Sequence, residues 1–159
     1  MVAQGLVMLQ VGQGAALRVR LLANLVLYVL VATCSVALGV AAVLLDGSLI
    51  WRVPTAVAGF GGFAGLAVLA AAAARAWTRA LVGDAVDRAA LRPAVRLAFA
   101  GRGLALTSAV AAAIVVLYGL LNADLDALLG LQPTVVVGGL ALAPDGIVAT
   151  ARLARAGPP

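Results

Sequence analysis

The middle of the chain, from residue 75 to residue 102, has the sequence RAWTRALVGDAVDRAALRPAVRLAFAGR and separates two long apolar halves. It contains six arginines, at Arg75, Arg79, Arg88, Arg92, Arg96 and Arg102. The runs on either side carry almost no charge. Arginine-rich segments remain on the cytoplasmic side of a membrane while apolar runs cross it, so this basic segment organises the whole chain.

The composition indicates a membrane protein. Of 159 residues, 65% are hydrophobic and 11% are charged, and the mean hydropathy is +1.16. Soluble domains have roughly 45–50% apolar and about 25% charged residues. This chain therefore has too little polar surface to cover a water-soluble core.

Four runs are long enough to cross a bilayer, because roughly 20 helical residues span the hydrocarbon core of ~30 Å. We predict an all-α, polytopic membrane protein with a single membrane domain over residues 1–159. Its four transmembrane helices form two hairpins, joined by a basic amphipathic cytoplasmic segment at 75–102. The predicted spans are residues 21–45, 53–74, 103–123 and 131–151. Pro54 and Pro133 are expected to open the second and fourth helices.

The basic segment is predicted to be an amphipathic helix on the membrane surface, interrupted near Pro93. Charged residues recur there every four positions and would form one stripe, at Asp84, Arg88, Arg92 and Arg96. Anionic lipid head groups are the expected partners of four arginines, Arg79, Arg88, Arg92 and Arg96. Residues 1–16 are weakly polar, and either lie on the membrane surface or begin the first helix.

The arginines also predict the orientation. With four spans, every arginine except Arg52 falls on one side of the membrane, and the acids Asp46, Asp124 and Asp126 accompany Arg52. The positive-inside rule then places both termini and the segment 75–102 in the cytoplasm. The bias toward Ala, Gly, Val and Arg without Lys is typical of a GC-rich bacterial genome, so we expect a multi-pass protein of the bacterial inner membrane.

A glycine cluster lies in the second span, at Gly59, Gly61, Gly62 and Gly65. Gly61 and Gly65 form a small-xxx-small pair, which lets another helix approach closely. That helix belongs either to the same chain or to another copy. A close approach of the backbone to a ligand is a third interpretation.

The available side chains argue against catalysis. The sequence has no histidine, glutamate or lysine, and Cys34 is its single cysteine. General acid–base catalysis and transition-metal binding therefore lack their usual groups, and we predict no enzyme, catalytic residue, metal or cofactor. Nucleic acid is not an expected partner, because the basic residues lie between apolar spans and not on the face of a soluble fold.

Asp145 is the candidate functional acid. If the fourth helix begins near Pro133, Asp145 lies within the membrane, and the neighbouring Pro144 and Gly146 break the helix there as in ion and proton sites of transporters. Alternatively, the span ends near Pro144, and Asp145 is an interfacial turn residue or the cap of a short final helix.

Three functions remain open from the sequence, of which the third is an enzyme subunit whose active site lies on a partner. The first is a non-enzymatic accessory, scaffold or regulatory subunit that contacts another membrane protein, or its own copies, through the glycine-bearing helix. The second is a small oligomeric channel or transporter that uses Asp145 as an ion- or proton-linked site.

Overall fold

A computed structural model of the chain describes residues 6–9, 12–143 and 145–156. Within these ranges the chain is mainly helical, with three short strands near the basic segment. The strands are β1 (Leu6–Met8), β2 (Leu81–Val82) and β3 (Ala85–Asp87). The helices are α1 (Gln13–Leu44), α2 (Leu49–Arg75), α3 (Arg88–Leu121), α4 (Ala127–Leu142) and α5 (Gly146–Ala156). A π-helix, Ala76–Ala80, continues α2.

Four helical segments are long and apolar enough to cross a membrane: Gln13–Leu44, Leu49–Ala80, Arg88–Leu121 and Ala127–Arg155. The last segment covers both α4 and α5. The prediction of a helical protein with four helices able to span a bilayer is therefore confirmed.

The two prolines expected to open helices lie inside them. Pro54 is within α2, which begins at Leu49, and Pro133 is within α4, which begins at Ala127. The expectation was wrong because the preceding turns are tight: Ala127 N–H donates to Asp124 O at 3.2 Å, so helical bonding starts directly after the turn. Both prolines are buried, and apolar helices in lipid tolerate them.

The prediction of a surface helix was wrong for residues 81–87, which form an antiparallel hairpin instead. Strand β3 lies in the middle of a three-stranded sheet, with β2 on one side and β1 on the other. Gly83 opens the hairpin turn with a φ of +59°, a left-handed conformation that glycine adopts without strain. In the amino-terminal segment, residues 13–16 begin the first helix as one interpretation expected, whereas Leu6–Met8 form a strand that was not predicted.

Helix α3 starts at Arg88, ahead of Pro93, because Asp87 caps it. The Asp87 carboxylate accepts hydrogen bonds from the backbone N–H groups of Ala89 at 2.8 Å and Ala90 at 3.3 Å. An acceptor at this position satisfies amides that have no partner within the helix. The helix then continues through Pro93 to Leu121.

The chain divides into two compact units. The first comprises Met1–Tyr28, Val68–Ala100 and Pro144–Pro159, and so holds the small sheet, the start of α3 and all of α5. The second comprises Val29–Ala67 and Gly101–Ala143.

Small side chains form the interior of the second unit. Its buried cluster consists of Ala105 and Ala109 from α3 with Val137 and Ala141 from α4. The large apolar side chains of the same helices point outward; Ile114 is 63% exposed and Leu121 is 78% exposed. This arrangement is typical of helices in lipid, where small residues allow close packing and large ones face the acyl chains.

Candidate functional site

Asp145 lies between α4 and α5 and is buried, with only 1% of its surface exposed. Its two carboxylate oxygens have different partners. Oδ1 accepts a hydrogen bond of 2.8 Å from the backbone N–H of Val148, in the first turn of α5. Oδ2 accepts a hydrogen bond of 3.2 Å from the hydroxyl of Tyr28 in α1, which is also 1% exposed. The carboxylate thus caps one helix and binds the side of another.

A second hydrogen bond joins the same two helices. The backbone N–H of Gly146 donates to Oδ1 of Asn24 at 3.0 Å, one turn before Tyr28. Gly146 also packs closely on Leu21, because a Cβ added to it would lie 3.0 Å from a Leu21 methyl carbon. Helix α5 therefore begins on a polar patch of α1 formed by Asn24 and Tyr28.

Helix α5 has further buried residues beside Gly146. Ile147 is 1% exposed, and Thr150 is fully buried with its hydroxyl donating to Gly146 O at 2.7 Å. A threonine hydroxyl in a membrane helix usually bonds back to the preceding turn in this way. Burial of Ile147 and Thr150 leaves the arginines of α5 on its exposed side.

The position of Tyr28 along α1 locates Asp145 relative to the charged start of that helix. Tyr28 is eight residues after Arg20, or roughly 12 Å at the rise of an α-helix. Asn24 is about half as far. The structure shows Asp145 as the cap of a short final helix, which is part of the second interpretation, whereas its depth in the membrane stays a prediction.

Each glycine of the second span contacts another helix of the same chain. A Cβ at Gly59 would lie 2.7 Å from Cα of Gly39 in α1. One at Gly65 would lie 2.7 Å from the backbone nitrogen of Ala105 in α3. Gly61 lies against Ser108 in α3, and Gly62 against Val137 in α4. The structure thus brings the cluster together with α1, α3 and α4 of the second unit.

Three arginines bind the carboxyl ends of helices, a role that sequence reasoning missed. Arg52 donates from Nε to Ala42 O and from Nη2 to Val43 O, both at 2.8 Å, at the end of α1. Arg102 donates to Ala143 O at 3.1 Å, directly after α4. Arg88 donates from Nε and Nη2 to Ala154 O, at 2.9 and 2.6 Å, in the last turn of α5. A cation here complements the carbonyl groups and the helix dipole.

The four arginines predicted to contact lipid head groups do not all have the same role in the structure. All four side chains are exposed, and Arg88 is also bonded to Ala154 of α5. Asp84 is not part of the predicted charged stripe on a helix, because it lies in the hairpin turn. One of its carboxylate oxygens is 2.6 Å from the position that a Cβ of Gly14 in α1 would occupy. Arg92 and Arg96 remain one turn apart on α3.

Asp145, Tyr28 and Asn24 bring a carboxylate, a phenol hydroxyl and a side-chain amide to the start of α5. Within residues 6–9, 12–143 and 145–156, no three His, Cys, Asp or Glu side chains come together as metal ligands. Pro144, which the sequence analysis placed in the helix break, lies outside the described residues.

Comparison of the chain with protein-family models, with curated proteins and with solved structures gave no match. The fold alone therefore sets its class. With four helices able to span a bilayer, it is a multi-pass helical membrane protein.

Proposed function

We propose that the protein is a non-enzymatic component of the bacterial inner membrane, an accessory, scaffold or regulatory subunit that contacts another membrane protein or its own copies. One observation carries this proposal: both oxygens of the candidate acid, Asp145, are engaged in structural bonds, Oδ1 as the cap of α5 and Oδ2 with Tyr28 of α1. A carboxylate with this structural task favours a static helical assembly over a transport site.

The partner surface in this proposal differs from the glycine face. Gly59, Gly62 and Gly65 are buried against the chain's own helices. A partner or second copy would therefore meet the exposed apolar faces of the helices, which also accommodate lipid.

The proposal includes the membrane orientation, with two hairpins, both termini in the cytoplasm and the basic segment at the level of anionic head groups. The orientation is supported by the role of Arg52, the arginine that the charge pattern places on the opposite side of the membrane from the others. Its guanidinium satisfies the terminal carbonyls of α1, so a structural demand accounts for a cation on that side.

A small oligomeric channel or transporter is the second candidate, favoured by a separate observation. The Asp145 carboxylate is buried at an interruption between two helices and accepts a phenol hydrogen bond. Carboxylates at such interruptions form ion and proton sites in transporters.

Proteoliposome flux separates the two candidates. Asp145→Asn is compared with Asp126→Asn, which removes an exposed acid outside the site. If the protein is a subunit, proton and cation flux stay at the level of empty liposomes for the unmodified protein and for both variants. A partner also co-purifies with the unmodified protein in mild detergent from the native membrane. Flux that only Asp145→Asn abolishes would replace our proposal with the transporter.

A further inference from the structure

A cleft of about 500 Å³ lies between the first turns of α3 and the last turns of α5, within the first unit. Four arginines line it, namely Arg88, Arg92 and Arg96 from α3 and Arg155 from α5. Apolar side chains form the rest of the wall, with Leu91 and Val95 on one side and Ala151 on the other. Among the described residues that line this arginine cleft, none is acidic.

One of these arginines builds the cleft. Arg88 holds Ala154 O with two hydrogen bonds and so fixes the end of α5 against α3. Arg92, Arg96 and Arg155 are exposed side chains along the opening. The cleft therefore presents guanidinium groups from two helices whose spacing is fixed by the fold.

The nearby acids Asp84 and Asp87 do not line the cleft. Asp87 accepts hydrogen bonds from the backbone N–H groups of Ala89 and Ala90, and Asp84 lies in the hairpin turn, close to Gly14 in the first turn of α1. Like charges one turn apart on a helix repel each other, so Arg92 and Arg96 lower the stability of α3 unless an anion lies between them. A cleft with apolar walls also concentrates the field of its charges, which raises the local concentration of anions.

We propose that the arginine cleft binds a phosphate-bearing anion, which in the membrane is the head group of an anionic phospholipid. Guanidinium groups bind phosphate oxygens in pairs, with a geometry that matches their planar fork. The apolar wall of Leu91, Val95 and Ala151 accommodates the glycerol and first acyl carbons that follow a lipid phosphate. The lipid source rests on the membrane placement proposed above, whereas phosphate recognition does not.

The test measures lipid binding to the full chain, purified in detergent and delipidated, by native mass spectrometry with phosphatidylglycerol and phosphatidylcholine. Arg92→Gln with Arg96→Gln is expected to weaken phosphatidylglycerol binding roughly tenfold or more, since charge-assisted bonds are lost. Arg20→Gln with Arg75→Gln removes equal charge from exposed positions outside the cleft and should change binding less than about twofold. An equal loss in both double variants would overturn the proposal, because it would indicate diffuse attraction.

A charge-preserving variant tests the shape of the site. Arg92→Lys with Arg96→Lys keeps the net charge but replaces each planar fork with a single ammonium group. We expect phosphatidylglycerol to bind severalfold more weakly than to the unmodified protein, with an unchanged elution volume in size-exclusion chromatography. Unchanged binding would show that a guanidinium site does not exist.

Inorganic phosphate distinguishes the source of the anion. Retention of phosphatidylglycerol against a large excess of inorganic phosphate supports a lipid site. Displacement by inorganic phosphate, with the same dependence on Arg92 and Arg96, supports a free phosphate ligand in the same cleft. Binding of neither probe overturns the proposal. These measurements of lipid and phosphate binding are separate from the flux and partner-purification experiments. The arginine cleft can therefore fail its test while the proposed function stands, and the reverse is also true.

Discussion

The hydroxyl of Tyr28 in α1 donates a hydrogen bond of 3.2 Å to Asp145, 117 residues away along the chain. The other carboxylate oxygen caps α5 through Val148. This pair therefore connects the middle of the first helix to the beginning of the last one. Because both side chains are 1% exposed, water competes little for the bond.

Tyr28→Phe is expected to lower the free energy of unfolding by about 1–3 kcal/mol, since it removes the donor and leaves a buried acceptor with one bond fewer. Thermal unfolding in detergent, followed by circular dichroism, measures the change. Tyr118→Phe is the matched control, because Tyr118 is 63% exposed and should tolerate the loss of its hydroxyl. Equal effects of the two variants would argue against the bond.

Substitutions of Asp145 should separate its two tasks. Asn is as good a helix cap as Asp, so Asp145→Asn keeps an acceptor for Val148 N–H and is expected to cost less than Asp145→Ala. Asp145→Ala removes both the cap and the acceptor for Tyr28. We therefore expect its free energy of unfolding to be about 1–2 kcal/mol lower than that of Asp145→Asn. Unfolding in detergent compares them. The interpretation of Asp145 as a cap fails if the asparagine variant is the less stable one.

Gly59→Ala should disrupt the second unit, because the added methyl group would lie 2.7 Å from backbone atoms of Gly39 and Ser35. Backbone cannot move aside as a flexible side chain can, so we expect overpacking to cost about 1–3 kcal/mol or more. Gly139→Ala is the control, because its Cβ would meet nothing within 4 Å. The yield of monodisperse protein and its thermal unfolding measure the difference, and a tolerated Gly59→Ala would contradict this packing.

Sequence reasoning predicted the helices because apolar runs bounded by arginine are a local signal. The glycine cluster was equally visible, since small residues in an apolar run indicate close approach of a helix. Neither signal identifies the partner. Gly59 meets α1, whereas Gly65 meets α3, and only the folded chain makes that distinction.

The features that were missed depend on contacts between distant residues. The bonds of Arg88 to Ala154 and of Arg102 to Ala143 join α3 to residues far along the chain. Counting the arginines between spans cannot predict which carbonyl each of them binds. The hairpin did leave a signal, because Gly83-Asp84 lies between short β-forming segments. The arginines of the segment 75–102 and their four-residue spacing favoured a helix, and pairing of β3 with β1 and β2 outweighed that preference.

Arg52→Gln is expected to destabilise the carboxyl end of α1. Its guanidinium provides two hydrogen bonds of 2.8 Å to the terminal carbonyls, and loss of bonds to a charged group costs about 1.5–3 kcal/mol, less where water replaces them. Hydrogen exchange of the amides at residues 40–48 should accelerate. Arg20→Gln removes the same charge from an exposed position and should leave that exchange unchanged. Unchanged protection in Arg52→Gln would show that the cap contributes nothing.

The proposed orientation predicts which residues an impermeant maleimide reaches on intact cells. In a Cys34→Ala background, Asp126→Cys lies in the turn between α3 and α4 and should react from outside. Thr78→Cys lies at an exposed position of the π-helix, within the basic segment, and should react only after permeabilisation. Both positions are exposed, so a difference in reactivity reports the side of the membrane and not burial within the protein.

Because the arginines of 75–102 are held inside by the membrane potential and by anionic lipid, labelling of Thr78→Cys on intact cells would reverse the orientation. It would also move the arginine cleft to the opposite leaflet.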